Sequence, residues 1–146
     1  MKIIWKGQIV DEDKKEVDIH DRGYQFGDGL YEVTRVYNGK LFTADEHLDR
    51  LYEGARKIEL DIRYTKQEIL DRMHQLVEEN RLISGYVYLQ FTRGDGVIRN
   101  HLFPSPAESQ VVFSGFTLAL DRPVKEIEQG IKVITGEDDR WAHCDI

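Results

Sequence analysis

Apolar and polar positions alternate at the two ends of the chain and recur every three to four residues in its middle, so two helices are expected between groups of strands. Lys2 to Val10 sets Ile3, Ile4, Trp5, Ile9 and Val10 around Lys6-Gly7 and predicts an opening hairpin. An acidic and lysine-rich turn follows from Asp11 to Lys15, and then a glycine-rich loop. Tyr31 to Tyr37 alternates and is rich in β-branched and aromatic residues. It leads into Asn38-Gly39, whose residues tolerate the positive φ of a type I′ turn, and Lys40-Leu41-Phe42 resumes the strand pattern. At Thr43 the period changes. Thr43-Ala44-Asp45-Glu46 has the form of a capping box, and Leu48, Leu51, Tyr52, Ala55 and Ile58 then fall on one helical stripe. Thr65-Lys66-Gln67-Glu68 repeats the signature ahead of Ile69, Leu70, Met73, Leu76 and Val77, predicting a second helix that stops near Asn80. Tyr86 to Thr92 reads as a strand broken by the Gly94-Asp95-Gly96 turn, and Gln110 to Leu120 as another.

The order of elements gives an α+β fold: a small N-terminal domain over residues 1–120, with an antiparallel-rich sheet and two helices. Asp121-Arg122-Pro123 is the linker, because proline cannot donate to a ladder and biases its predecessor away from helix. Residues 124–146 then read as the start of a larger, incomplete C-terminal domain, with Gly130 to Thr135 as its first strand.

Composition narrows the function classes. Of the 146 residues, 40% are hydrophobic and 32% charged, and no apolar run is long enough to span a bilayer. The N-terminus has no secretory h-region, and a lone cysteine, Cys144, can form no internal disulfide; both fit the cytoplasm. A net charge of −7 with no cationic patch argues against nucleic-acid binding. The histidines at 20, 47, 74, 101 and 143 are scattered, and no metal-ligand spacing occurs. His20 and His74 read as surface residues, and Asp138, Asp139 and Asp145 as acidic turns rather than a carboxylate site.

Three places could carry chemistry. Asp21 to Val33 packs Gly23, Gly27 and Gly29 into a loop that matches neither a P-loop nor a dinucleotide fingerprint; a tight connection into a strand explains the glycines alone. Tyr31, however, places a phenol where the loop becomes a strand. In Arg99-Asn100-His101 an extended backbone would point the guanidinium and imidazole the same way, toward one carboxylate; the alternative is a solvated arginine beside an incidental histidine. His47 and Arg50 lie three apart on the first helix and form either a phosphate clamp or part of a charged helix surface.

Asp21 to Val33, Glu46-His47 to Arg50, Arg99-Asn100-His101 and Arg140-Trp141 with Cys144-Asp145-Ile146, taken together and in order, resemble the bacterial D-amino-acid (D-alanine) aminotransferases, fold-type IV enzymes that use pyridoxal 5′-phosphate. Branched-chain aminotransferases and aminodeoxychorismate lyases share these elements in looser form, and the Arg-x-His pair points to the D-amino-acid branch. The resemblance implies that Arg50 holds the cofactor phosphate and that Tyr31, Arg99 and His101 form a trap for the substrate α-carboxylate. It also implies a homodimer, the Arg-x-His loop of one subunit reaching into its neighbour's site. The implied reaction is D-alanine and 2-oxoglutarate to pyruvate and D-glutamate. In this family a Schiff-base lysine follows Cys-Asp-Ile directly, so its position is expected immediately after Ile146. The sequence as it stands is thus expected to be inactive by itself, and a noncatalytic domain that dimerises or binds a partner is the alternative. His143 departs from the basic residue, commonly arginine, that stands before the cysteine in the family.

Overall fold

A computed structural model describes residues 1–105 and 107–142. Its framework is one six-stranded antiparallel sheet in the order β2-β1-β6-β5-β3-β4, made of β1 (Lys2–Trp5), β2 (Gln8–Asp11), β3 (Gly29–Tyr37), β4 (Lys40–Leu41), β5 (Ser84–Asp95) and β6 (Gln110–Ala119). Both short hairpins turn where the sequence predicts. Lys6 and Gly7 have φ of 48° and 74°, and Asn38 and Gly39 have 50° and 71°, the consecutive left-handed pair of a type I′ turn. The central strand β5 runs past the expected break, to Asp95, with a register shift between Thr92 and Asp95 that carries the chain into the following loop.

The helices α2 (Ala44–Lys57) and α3 (Lys66–Glu79) cover one face of the sheet, α2 over β3 and α3 over β1, β2 and β6. Leu48, Leu51 and Ala55 meet Ile69, Met73 and Leu76 above Ile4, Val36, Val87, Leu89, Phe91 and Phe113. Phe91 and Phe113 stack with centroids 4.3 Å apart. The expected capping box forms at Thr65, whose side chain and that of Glu68 bond reciprocally to each other's backbone N–H. It does not form at Thr43. That residue has φ of 52°, a left-handed conformation that turns the chain out of β4 and leaves no side-chain cap on α2.

One polar group is stranded in this core. Thr34 is 1% exposed on the helix-facing side of β3, and its hydroxyl has no hydrogen-bond partner among the described residues. Thr34→Val keeps the shape and removes the unsatisfied group, so it is expected to stabilise the fold by about 1 kcal/mol, read as a higher urea midpoint. A lower midpoint would show that the hydroxyl is bonded in solution.

The opposite sheet face carries an open aromatic row. Tyr31 stacks on Tyr88 at 5.6 Å and Tyr88 on Phe116 at 5.0 Å. After β6 the core ends: every described residue from Leu118 onward is exposed. A short helix, α4 (Val124–Gln129), occupies part of this segment. Gly130 to Thr135, expected as a strand, forms none, because a strand needs a ladder neighbour and no other strand lies beside it among the described residues. No helix of the described residues is long and apolar enough to cross a membrane.

Candidate active site

The glycine-rich loop is a one-turn helix, α1 (Arg22–Phe26), pressed against β5. Asp21 caps it by accepting from Gly23 N at 2.7 Å, and the other Asp21 oxygen accepts from Thr92 Oγ1 at 2.9 Å. The turn sits so close that a Cβ on Gly23 would lie 2.2 Å from Thr92 Cγ2, while Gly27, with φ of 64°, ends the helix in the left-handed region. These two glycines shape a tight connection, the plainer of the two readings of the sequence.

Asp28 follows and anchors the whole corner. One of its oxygens, Oδ2, accepts from Arg22 Nε and from Arg93 Nε, each at 2.8 Å, with all three side chains less than a tenth exposed. Burial pushes the Asp28 carboxyl up, but the hydrogen bonds and charges of Arg93 and Arg22 outweigh it and hold the group below its usual range. The remaining nitrogens of Arg93 donate to the carbonyls of Glu59 and Ile58 at 2.9 and 2.8 Å, tying the end of α2 to the same point.

A second carboxylate gathers the first helix. His47 and Arg50 share a face of α2 as their spacing suggests, but both turn to Glu32, which is 4% exposed on the inward side of β3. Arg50 Nε and Nη2 donate to the two Glu32 oxygens at 2.6 Å each, and His47 Nδ1 lies 2.8 Å from Oε2. Burial raises the Glu32 carboxyl and the hydrogen bonds from Arg50 and His47 more than reverse the shift. The helix therefore does not present two uncommitted cations as a phosphate clamp would. The Arg50 side chain nonetheless stays 71% exposed. It lies beside a stretch of β3, Gly29 to Thr34, whose outer edge has no ladder partner among the described residues. Sequence reasoning passed over Glu32. The available signal was a charged residue in phase with inward-facing Thr34 and Val36, where a buried carboxylate requires partners.

Arg99 and His101 also converge, although the segment bends and is not extended as expected. What unites them is Phe26: the Arg99 guanidinium lies 4.6 Å from the ring centroid and the His101 ring meets it edge-on at 5.6 Å. His101 faces an open cavity of about 660 Å³ shared with Arg22, Asp28, Lys57 and Phe103. Tyr31, 65% exposed, lines a separate cavity of about 170 Å³ with Gly23, Leu30, Gln90 and Thr92. Gly27 and Gly29 border both cavities, so the loop stands between the cavity of Tyr31 and that of His101 in the same chain.

The acidic residue Asp138 is paired bidentately with Arg140, as a turn would have it. Among the described residues no group of His, Cys, Asp and Glu could hold a metal. His143, Cys144, Asp145 and Ile146 lie outside the described residues.

The model of the amino-transferase class IV family matches residues 29–144. Over 145 residues the chain is 46% identical to a D-alanine aminotransferase of Staphylococcus epidermidis, covering 99% of this chain and 51% of that protein. Over 146 residues it is 47% identical to a D-alanine aminotransferase of Listeria monocytogenes serotype 4b, covering 100% of this chain and 50% of that one. The chain spans about half the length of these curated relatives. In fold it is similar to a branched-chain amino acid aminotransferase complexed with N-(5′-phosphopyridoxyl)-L-glutamate, with a TM-score of 0.68 and 19% identity over 79% of this chain and 40% of that one.

Proposed function

The chain belongs to the class IV amino-transferase family, and from that premise we propose that the whole protein transfers the amino group of D-alanine to 2-oxoglutarate with pyridoxal 5′-phosphate as cofactor. The observation that carries the reading is the gathering of Arg99 and His101 around Phe26, in a chain 46–47% identical throughout to D-alanine aminotransferases.

The donor set suits a phosphorylated cofactor. Arg50 is exposed at an open strand edge while two of its nitrogens are braced by Glu32, so a phosphate can meet it without a buried group being uncovered. Bound there, the cofactor supplies an electrophilic carbon for the amine and draws electrons from the bonds at the substrate Cα. Arg50 holds the phosphate and so fixes where that carbon lies. Arg99 grips the α-carboxylate with a two-pronged fork, and His101 and Tyr31 donate from either side. A carboxylate held in three places has one direction, and that direction decides which face of Cα is presented for proton removal. Gly27 and Gly29 stand between the cavity of Tyr31 and that of His101 in one chain, and this separation supports a homodimer in which a second copy completes the trap. The exposure of every described residue from Leu118 onward supports a small domain over residues 1–120, a linker at 121–123 and a second domain from 124.

The test is the full-length protein offered D-alanine or an L-branched-chain amino acid with 2-oxoglutarate. Turnover of D-alanine is expected; turnover of the L-substrate alone would reassign it to the branched-chain branch, and turnover of neither would favour a binding domain. Arg50→Ala is expected to raise the dissociation constant of pyridoxal 5′-phosphate at least about tenfold, the loss of one charge-assisted contact, and to leave KM for D-alanine at saturating cofactor within about twofold. Equal effects on both ligands would contradict this division between Arg50 and Arg99.

A further inference from the structure

Arg22 and Phe26 lie outside the cofactor and carboxylate roles, yet they make most of the contacts that hold the Arg99-Asn100-His101 segment. The segment belongs to no strand or helix, and it follows Gly94 and Gly96, whose φ of 92° and 99° carry the chain out of β5 through conformations that other residues rarely adopt. Its shape must therefore come from side chains. Arg22 Nη1 donates to the carbonyl of Asn100, the residue between the two functional side chains, at 2.7 Å, and to that of Leu102 at 3.4 Å. The Asn100 side chain closes the turn by accepting from Leu102 N at 3.1 Å. Arg22 is itself anchored, being 6% exposed with its Nε donating to Asp28. Its guanidinium also lies 4.7 Å from the Phe26 centroid and 5.6 Å from that of Phe103, whose ring Arg93 approaches at 4.7 Å. Phe26 is thus shared between a buried arginine and the exposed Arg99, with His101 at its edge.

We propose that Arg22 and Phe26 are positioning residues for carboxylate recognition: Arg22 fixes the backbone between Arg99 and His101, and the Phe26 ring gathers both side chains so that they can share one ligand. This rests on the reading that Arg99 and His101 bind the substrate carboxylate. Only a fork can perform the Arg22 task. Nε faces Asp28 while Nη1 faces the loop, and a lysine ammonium, a single nitrogen without the planar fork, cannot reproduce that fixed pair of directions.

The experiment compares Arg22→Lys and Phe26→Leu with Arg99→Ala, singly and combined, in the full-length cofactor-loaded protein. The measurements are KM and kcat for D-alanine, the dissociation constant of D-lactate as a carboxylate without an amine, and the urea midpoint. Arg22→Lys is expected to weaken D-lactate and raise KM about tenfold, with kcat changed less than about threefold. Phe26→Leu, which keeps the apolar volume, is expected to weaken D-lactate about two- to fivefold. In the Arg99→Ala background both changes should have a clearly smaller effect on D-lactate, because only His101 is left for them to position. A loss of the same size in both backgrounds, tracking the fall in midpoint, would overturn the proposal and leave Arg22 as a purely structural residue. If Arg99→Ala itself left D-lactate binding intact, the underlying assignment of Arg99 would fail first, and the two failures are told apart by that single variant. Should Arg22→Lys not fold, Phe26→Leu decides alone by the same comparison.

Discussion

Asp28→Ala is expected to destabilise the domain by about 3–5 kcal/mol, because it leaves two arginines that are less than a tenth exposed without the carboxylate that both require. The loss is of a size to unfold many domains outright. Asp28→Asn should fall less far, since the amide oxygen can still accept from one guanidinium. The acid limb gives an independent reading. The native Asp28 carboxyl lies below its ordinary value of about 3.9, so its contribution is complete above that pH and is lost as pH falls through the lowered native value. Between pH 6 and pH 3 the parent should therefore lose more stability than Asp28→Asn does. Equal slopes in urea titrations across that range would show that the bridge does not form in solution.

Removing the Arg99 guanidinium is expected to lower kcat/KM for D-alanine by roughly 10- to 150-fold, the loss of a charge-assisted, forked contact of about 1.5–3 kcal/mol. Arg99 is exposed and lies against an aromatic ring, with no part in the core, so Arg99→Ala should leave the urea midpoint within about 0.5 kcal/mol of the parent. Affinity for pyridoxal 5′-phosphate should not change. Arg99→Lys restores the charge without the fork and is expected to recover part of the loss, which separates attraction from direction. An Arg99→Ala variant with full kcat/KM would move carboxylate recognition to another group.

What could be read in advance was whatever residues decide locally. Lys6-Gly7 and Asn38-Gly39 demand their turns regardless of surroundings, and Thr65 with Glu68 completes a cap from within four residues. Thr43 offered the same letters as Thr65 and gave no cap, because the way the chain leaves β4 sets its φ at 52° before the side chain can choose a partner. Gly130 to Thr135 had strand composition, but a strand is made by its neighbours. The site divided along the same line. Arg99, His101, Tyr31 and Arg50 were visible as types of chemistry, whereas Phe26, which unites the first two, and Glu32, which claims the last, act through contacts between distant parts of the chain. Their letters, an aromatic in a glycine-rich loop and an acid in a strand, are ordinary.

The position of β1 within the sheet bears on how the protein is made. Its hairpin partner β2 is adjacent in sequence, but its other neighbour is β6, through Ile4 opposite Gly115 and Trp5 opposite Ser114. During synthesis at roughly 5–20 residues per second, the residues between these strands take on the order of 5–20 s to emerge. Throughout that interval the first hairpin exists without the strand that closes one side of it, and the core that covers Ile4 in the finished fold is still incomplete. The nascent chain therefore carries a sticky, unfinished N-terminus until β6 has been made, and the last strand of this sheet is also the one that shields the first from chaperones and from other nascent chains.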